Sequence, residues 1–239
     1  MNAHPREVAV VVPVHDEEDL LDRCLRSVAR AAAPVRRAGT TVRVVTVLDD
    51  CRDASGDIAT RLAAADDVVI EVDARRVGRA RQAGARAALE RARAHPWLVF
   101  CDADSAVPRC WLVDHLRVAG EGAHVVAGGI ELIDAHLRPP AVAHAWRQRP
   151  SRGPEVYGTN LAIRADALAE AGGVPDLAVG EDQALWDVLG LTGRPRAHRP
   201  GLTVRTSARV RARAPGGFHG YLGGLQRGGP APPARCTAS

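Results

Sequence analysis

Two aspartates placed two residues apart are the feature of the sequence that most clearly indicates chemistry. Asp102 and Asp104 follow the short apolar run 97–100, which is typical of a buried strand. In extended backbone, side chains at positions i and i+2 point to the same side, so both carboxylates can face one hard cation. Phosphate oxygens and water would complete its coordination. The alternative is a solvated turn at the end of a strand, because Asp is common in turns.

Acidic residues also follow two earlier apolar runs. The run 8–14 leads into His15-Asp16-Glu17-Glu18, and the run 42–48 leads into Asp49-Asp50. Continuous apolar runs are typical of parallel strands covered on both faces, and ligands of such sheets bind at the carboxyl ends of the strands. With helical spacing between the runs and a further strand over 68–72, the pattern predicts a single α/β domain with a mixed, mostly parallel sheet flanked by helices.

A stretch rich in arginine and glycine, residues 75–84, opens the next predicted helix. It has neither the Gly-x-Gly-x-x-Gly spacing of dinucleotide-binding folds nor a Walker loop with its lysine, which excludes a Rossmann dehydrogenase and a P-loop enzyme. The arginines here, Arg81 among them, are compatible with a phosphate site or with a solvated helix face.

The second half of the chain holds one more acidic motif. Glu181 and Asp182 stand at a predicted helix start, where carboxylates also stabilise the helix dipole without any catalytic role. Before them, a strand with a bulge at Gly128-Gly129 is predicted over 124–132, and 139–154 is predicted to be an irregular binding loop because of its four prolines.

Composition limits the class of protein. The 239 residues are 46% hydrophobic and 25% charged, which suits one large domain; we predict it over 1–226, followed by a disordered Gly/Pro-rich tail over 227–239. No apolar run is long enough to cross a membrane, and no run resembles a signal peptide, so a cytoplasmic location is expected. The five cysteines form no Cys-x-x-Cys pair, which argues against a disulfide framework and a zinc site.

The net charge of +4 comes from arginine alone, since the sequence has no lysine. Seven arginines crowd residues 194–213, which predicts contacts to phosphate and an anionic acceptor, or else a solvated basic face. A phosphorylated lipid would bring the protein to a membrane surface, so peripheral membrane contact is a further expectation. Nucleic acid is not expected as a partner, because only 3% of residues are aromatic and no recognition motif is present.

Taken in their order along the chain, these motifs resemble those of the family 2 glycosyltransferases. The resemblance covers about residues 8–190 and implies the GT-A fold, a nucleotide-sugar donor such as a UDP-, GDP- or dTDP-sugar, a hydroxyl acceptor, a divalent cation (Mg²⁺ or Mn²⁺) and inversion at the anomeric carbon. The motifs that carry it are Val12-Pro13-Val14-His15-Asp16-Glu17-Glu18, Asp49-Asp50, Gly78 with Arg81-Gln82-Ala83-Gly84, Asp102-Ala103-Asp104, Gly158-Thr159-Asn160 and Glu181-Asp182.

Roles for the first motifs follow from the resemblance. Pro13 and Glu17 would lie along the nucleotide, and Asp49 or Asp50 would accept a hydrogen bond from the base. Residues 51–55 differ from the commoner Gly-Ser-Thr-Asp of the family, so the choice between these two aspartates stays open.

The resemblance also implies a phosphate and metal site. Gly78 belongs to the motif in which Arg81 would close the nucleotide pocket. Asp102 would reach the ribose or a metal-bound water, and Asp104 would ligate the metal. His198 is placed where some GT-A enzymes have a late metal-ligating histidine, although a lone histidine is more often a surface residue.

The catalytic residues implied by the resemblance come from the last motifs. Asp182, next to Glu181, would be the general base that removes the acceptor proton, and Gly158 and Asn160 would shape the donor-sugar and acceptor pocket. The chain lacks the Gln-x-x-Arg-Trp motif of processive synthases, so a single transfer is expected. Two other hypotheses remain, a sugar-nucleotide nucleotidyltransferase and a catalytically silent nucleotide-sugar-binding module.

Overall fold

A computed structural model describes residues 5–93, 95–148, 153–209, 218 and 222–224. Eight strands form its sheet: β1 Glu7–Val14, β2 Thr41–Asp49, β3 Val68–Val72, β4 Trp97–Phe100, β5 Ser105–Ala106, β6 Val125–Ile133, β7 Leu161–Arg164 and β8 Arg196–Ser207. The α-helices described between residues 5 and 209 are α1 Leu21–Arg37, α2 Ser55–Leu62, α3 Val77–Glu90, α4 Trp111–Gly120, α5 Pro140–Gln148, α6 Ala165–Glu170 and α7 Glu181–Leu191. Short 3₁₀ turns occur at Ala135–Leu137 and Gly158–Asn160.

The strand order is β3-β2-β1-β4-β7-β6-β8-β5, and it divides the sheet into two halves. In the first half, β3, β2, β1 and β4 are all parallel. In the second half, β7 runs antiparallel to β4 and β6, β8 is parallel to β6, and the short β5 is antiparallel to β8. The predicted α/β domain with a mixed, mostly parallel sheet is confirmed.

The core lies on both faces of the sheet, because the central strands are apolar on both sides. All eight residues of β1 are buried, with Val8, Val10, Val12 and Val14 in the cluster under α1 and α4, and Ala9 and Val11 in the cluster under α3 and α7. This two-sided burial is what a continuous apolar run predicts. It also makes the strands a rigid base for the loops that leave their carboxyl ends.

The sequence predicted the parallel half more closely than the second half. The predicted interruption at Gly128-Gly129 is present as a register shift between β6 and β8. The prediction of an irregular loop over 139–154 was wrong, because helix α5 occupies the first part of this segment. A proline is tolerated at the first position of a helix, which is where Pro140 stands. Strand β8 was not predicted, and the tail expected over 227–239 lies outside the described residues.

Candidate active site

The two aspartates of the Asp-x-Asp motif lie just beyond the carboxyl end of β4. The backbone N–H of Asp102 donates to Thr159 Oγ1 at 3.0 Å, which fixes the start of the loop. Asp104 is buried, and its Oδ1 accepts from the hydroxyls of Thr206 at 3.2 Å and Ser105 at 3.4 Å. The carboxylate of Asp104 is therefore held by residues of β5 and β8 and is not freely solvated, which is not what a simple surface turn would show.

A buried arginine connects this motif to the helix that carries Glu181. Arg81, on α3, donates Nη2 to Asp102 Oδ1 at 2.5 Å and Nη1 to Glu181 Oε1. Its side chain is 6% exposed. Burial lowers the pKa of Arg81, but the charges of Asp102 and Glu181 outweigh it and raise the pKa further above its usual value. Arg81 thus stays a cation fixed between two carboxylates.

The same contacts set the pKa values of the two carboxylates. Desolvation raises the pKa of Asp102, Arg81 lowers it, and Asp104 raises it again, with a net shift upward. Burial raises the pKa of Glu181 in the same way, against the lowering effect of Arg81. Glu181 is buried and its carboxylate faces Arg81, so it acts as the internal counterion of this arginine.

A second arginine holds the other side of the motif. Arg209, two residues beyond β8, donates to both carboxylate oxygens of Glu17 at 2.5 Å, and its Nη2 lies 3.5 Å from Asp104 Oδ2. Burial lowers the pKa of Arg209, whereas its hydrogen bonds to Glu17 and the charge of Asp104 raise it, with a net shift upward. The sequence placed Arg209 in a basic stretch for an acceptor; the structure places it between Glu17 and Asp104.

Asp182 lies at the N-terminus of α7, facing the loop before β7. Its Oδ2 accepts from the backbone N–H of Gly158 at 2.8 Å, and its Oδ1 accepts from the N–H of Gln183 at 2.8 Å. The residue is half-buried. Because Arg81 contacts both its neighbour Glu181 and Asp102, Asp182 and the Asp-x-Asp motif belong to one site.

Gly158 and Gly78 are needed for close approach. A Cβ at Gly158 would overlap the guanidinium of Arg81, and one at Gly78 would lie 2.7 Å from the carbonyl oxygen of Pro175 and 3.3 Å from Cγ of Glu181. Gly158 therefore lets the loop before β7 pass directly over Arg81. Gly78 lets α3 pack against the residues around the start of α7.

At the expected base-binding end, Asp49 and Asp50 have different environments. Asp49 is buried, and its Oδ1 accepts from the backbone N–H groups of Ala74 and Arg75 at 2.7 and 2.9 Å. Asp50 has a φ of 49° and a side chain that is 26% exposed, 3.5 Å from the guanidinium of Arg75. Asp50 is thus the more accessible of the two, and Asp49 fixes the loop beside it.

The loops after β1 and β2 are tied to each other, which positions Glu17. The backbone N–H of Glu17 donates to Ser55 Oγ at 2.8 Å, that of Arg52 donates to Asp16 Oδ1 at 2.7 Å, and that of Glu18 donates to Asp53 Oδ2 at 2.9 Å. Pro13 is buried in β1, one residue before the strand ends. Asp16, Glu18 and Asp53 are therefore used to hold the loops.

Two of the predicted site residues are placed elsewhere. Asn160 is fully buried: its Oδ1 accepts from Trp111 and His115, and its Nδ2 donates to two backbone carbonyls, at Gly129 and Leu202. It therefore supports the wall of the site and has no amide atom left for a sugar. Asn160 could therefore shape the pocket only through the residues that it holds, and its expected role stays a prediction.

His198 also lies away from the Asp-x-Asp motif. It pairs with Ala127 at the start of the β6–β8 ladder, whereas Thr206, the residue of β8 that contacts Asp104, pairs with Leu132 five positions further along β6. Five residues of strand span about 17 Å. His198 instead contacts the carbonyl of Glu155 and the ring of Trp186, so it is not a metal ligand at Asp104.

The donor set at this site suits a hard cation. Among the described residues, five carboxylates lie in or beside the Asp-x-Asp motif, against three guanidinium groups. The carboxylates are those of Glu17, Asp102, Asp104, Glu181 and Asp182; the guanidinium groups are those of Arg81, Arg209 and Arg23, whose Nη2 lies 3.4 Å from the carbonyl oxygen of Asp104. Mg²⁺ and related ions bind through one or two carboxylates, with waters and substrate phosphates as the other ligands. Asp102 and Asp104 fit that pattern, since Asp102 is about one third exposed and Asp104 Oδ2 faces the site.

Within its described part, residues 194–209, most arginines of the basic stretch are engaged in contacts within the protein. Arg194 pairs with Asp166 and Glu170, Arg199 lies 3.4 Å from Glu121, and Arg196 bonds the carbonyl oxygen of Trp186 and stacks on its ring. These arginines stabilise β8 and its surroundings.

No helix among the described residues is long and apolar enough to cross a membrane.

Comparisons with known proteins agree with this architecture. The family model described as glycosyl transferase family 2 matches residues 9–187. No curated protein matches the sequence. Among solved structures, the mannosyltransferase PcManGT from Pyrobaculum calidifontis, in complex with GDP-Man and Mn²⁺, is similar with a TM-score of 0.65 and 21% identity over 88% of this chain and 59% of that chain.

Two further similar structures both contain the nucleotide UDP. TarS 1-349 of S. aureus in complex with UDP has a TM-score of 0.63 and 18% identity, over 85% of this chain and 61% of that one. Glucosyl-3-phosphoglycerate synthase of Mycobacterium tuberculosis, in complex with Mn²⁺, UDP and phosphoglyceric acid, has a TM-score of 0.58 and 18% identity, over 93% of this chain and 75% of that one. The chain spans about 60% of the length of the first two. At these identities the likeness concerns the fold.

Proposed function

The chain belongs to glycosyl transferase family 2, and on that premise we propose that it transfers one sugar from a nucleotide-sugar donor to a hydroxyl acceptor, with inversion and with the help of a divalent cation. The observation that carries the proposal is that Arg81 connects Asp102 of the Asp-x-Asp motif to Glu181, the neighbour of Asp182 at the start of α7. Similar structures hold GDP-Man with Mn²⁺, or UDP. Mn²⁺ or Mg²⁺ and a UDP-, GDP- or dTDP-sugar are therefore the proposed cofactor and donors.

The donor half of the site would bind the nucleotide and its diphosphate. Asp50 offers an accessible carboxylate for the base, beside Asp49, which fixes the loop. Asp102 and Asp104 would hold the cation, which would neutralise charge on the departing diphosphate. Arg81 keeps Asp102 oriented, and Arg209 is a cation within reach of the same region. Displacement of a diphosphate builds negative charge, which such groups stabilise.

The acceptor half would supply the base. Asp182 can accept the proton of the acceptor hydroxyl during attack on the anomeric carbon, which is the general-base role. A base on the face opposite to the leaving group gives inversion. Glu181, paired with Arg81, would not act as the base itself but would keep the start of α7 in place. This divides the catalytic roles that the sequence assigned to the pair.

The first test is calorimetric titration of UDP, GDP and dTDP with and without Mn²⁺, against the wild type and Asp104→Ala. We expect one nucleotide to bind in a metal-dependent manner and the variant to lose that binding. Asp57→Ala is the control, because Asp57 is a carboxylate exposed on α2 and is not one of the proposed site residues. Absence of nucleotide binding under every metal condition would reject the proposal.

The second test concerns the base. Asp182→Asn keeps a hydrogen-bond acceptor for Gly158 but removes the basic carboxylate. A general base contributes about 10²–10⁴-fold to the rate, so we expect kcat to fall by about 10³-fold while nucleotide affinity changes little. Configuration at the anomeric carbon of the product, read by NMR, tests inversion. A product of retained configuration, or an unchanged kcat, would remove Asp182 from this role.

Two finer points are part of the proposal. Transfer of a single sugar is inferred from the lack of a Gln-x-x-Arg-Trp motif, and product length measured by mass spectrometry tests it. The second point is an anionic acceptor, with contact to a membrane surface if that acceptor is a lipid. The residues that support this inference are Arg211 and Arg213, which lie outside the described residues. Unchanged acceptor KM in Arg213→Gln would argue against it.

A further inference from the structure

Arg209 occupies a position that a cation at the Asp-x-Asp motif would need. Asp104 Oδ1 is held by the hydroxyls of Ser105 and Thr206, while Oδ2 faces Nη2 of Arg209 at 3.5 Å. The same guanidinium donates to both oxygens of Glu17. The carboxylate oxygen of Asp104 that points into the site therefore already has a positive charge beside it.

The backbone that carries Arg209 is anchored, so its side chain can move alone. Arg138 is buried and donates to the carbonyl oxygens of Ala208, at 2.6 Å, and Arg209. The N–H of Arg209 donates to Ser207 Oγ at 3.2 Å. The side chain of Arg209 is 19% exposed, against 6% for Arg81. A change of side-chain rotamer at Arg209 therefore requires no change in β8.

Two cations beside one carboxylate repel each other, and the repulsion is strong in a poorly solvated site. A divalent ion at Asp104 and the guanidinium of Arg209 would thus compete while no other anion is present. A diphosphate changes this balance, because it adds negative charge and offers oxygens that a guanidinium binds in a bidentate manner.

We propose that Arg209 is an internal counterion that keeps the Asp-x-Asp site from binding a divalent cation alone and transfers from Glu17 and Asp104 to the diphosphate when the donor enters. Metal and nucleotide then bind together, and the site is not filled by free metal. The inference rests on the proposed donor site. It assigns Arg209 to donor binding and makes it a positioning residue for the metal.

The experiment measures Mn²⁺ alone, by the loss of its free EPR signal on titration with protein. We expect Arg209→Gln to bind Mn²⁺ at least tenfold more tightly than the wild type, because the variant removes the positive charge that lies 3.5 Å from Asp104 Oδ2. In the presence of Mn²⁺, the same variant should bind the nucleoside diphosphate at least tenfold more weakly, by calorimetry. Arg205→Gln is the matched control, because Arg205 lies on β8, four residues before Arg209, and is exposed. It should match the wild type in both measurements.

Two more variants locate the effect. Adding Asp104→Asn to Arg209→Gln should abolish the gain in Mn²⁺ affinity if the ion binds at Asp104. Arg209→Lys keeps the charge but loses the paired contact to Glu17, so a smaller gain of about two- to fivefold is expected, and it decides the question if the Gln variant does not fold.

The outcomes separate the two proposals. Equal or weaker binding of Mn²⁺ alone in Arg209→Gln, or in Arg209→Lys where only that variant folds, would overturn the counterion role even if nucleotides bind. Failure of every nucleoside diphosphate to bind the wild type with Mn²⁺ would reject the donor site itself, and with it the transfer of Arg209 to a diphosphate.

Discussion

Two arginines hold the same motif from opposite sides, and their surroundings differ. Arg81 lies inside the domain on α3, contacts two carboxylates, and is covered by Gly158, where a Cβ would overlap its guanidinium. Arg209 lies beyond the end of β8 and is three times as exposed, with Glu17 and Asp104 as its partners. The first pair of contacts is a fixed part of the fold, and the second can exchange for a ligand.

This difference in burial gives the two arginines of one charge cluster different roles, a structural role for Arg81 and a role in ligand binding for Arg209. A guanidinium that cannot leave keeps Asp102 and the start of α7 in fixed positions, which a catalytic site requires. A guanidinium that is partly exposed, as that of Arg209 is, can respond to the charge of a substrate. Burial and steric cover distinguish the two roles, because the side-chain chemistry of the two residues is identical.

The largest effect is expected on breaking the fixed pair. Arg81→Gln leaves the buried carboxylate of Glu181 without its counterion, and removal of one partner of a buried ion pair costs about 3–5 kcal/mol of unfolding free energy. Urea denaturation at pH 7.5 measures the loss. Arg81→Gln combined with Glu181→Gln should recover part of it, because the second change removes the uncompensated charge. A loss below about 1 kcal/mol in the single variant would mean that Arg81 is not fixed in this way.

The next prediction concerns the loss of stability at low pH and assigns it to His115, which contacts Asn160 in the wall of the site. Burial lowers the pKa of His115 to about 4, although its hydrogen bond with Asn160 acts to raise this pKa. His115 therefore takes up its proton at a lower pH in the folded protein than in the unfolded chain. Stability from this residue is complete above pH 6.5 and is lost as the pH falls toward 4. Between pH 7.5 and 5, we expect His115 to account for a loss of about 2 kcal/mol in the unfolding free energy.

The control for this prediction is His115→Gln, which keeps a donor for Asn160 but does not titrate. Its loss of unfolding free energy between the same two pH values should be smaller than that of the wild type by about 2 kcal/mol. Parallel curves for the two proteins would show that His115 is not the group responsible and would turn attention to the carboxylates around Arg81.

How far the sequence predicted this arrangement depended on which half of the sheet was involved. The continuous apolar runs of β1, β2 and β4 predicted parallel strands and placed acidic loops at one edge, which is where Glu17, Asp49 and Asp102 lie. Those elements are local in sequence and strongly apolar. Their pattern therefore determines both the element and the side of the sheet that carries the ligands.

The second half depends on contacts that no local pattern contains. Strand β8 includes Pro200, Gly201 and exposed arginines, so it lacks a strand pattern, and it is defined by its long pairing with β6. Arg209 contacts Glu17 across 192 positions of sequence. The sequence could show that basic residues cluster late in the chain, but not that one of them returns to the loop after β1. The contacts of Asn160 were missed for the same reason.

The next prediction concerns the close contact between Gly158 and Arg81. In Gly158→Ala, the new methyl group would overlap the guanidinium of Arg81, and overpacking of this kind costs about 1–3 kcal/mol. We expect thermal unfolding to show a loss in this range. Gly56→Ala is the control, since its Cβ would meet Leu48 only at an ordinary 3.7 Å and lies within helix α2, where alanine is favoured. Equal stability of the two variants would show that Gly158 does not hold Arg81 in place.

The smallest effect on stability is expected at the exchangeable pair. Arg209→Gln removes a partly exposed partner of Glu17, so water can reach the carboxylates and the loss should be about 1 kcal/mol, between the values for surface and buried pairs. The decisive measurement is the melting temperature with and without Mn²⁺. A ligand stabilises the folded state by RT ln(1 + [L]/Kd), so at one Mn²⁺ concentration the tighter-binding Arg209→Gln should show a larger rise in Tm than the wild type, which restores the loss. Arg81→Gln should recover less, because Mn²⁺ could replace the contact of Arg81 to Asp102 but would leave the buried carboxylate of Glu181 uncompensated. Equal responses of the two variants to Mn²⁺ would mean that the site does not contain one fixed and one exchangeable arginine.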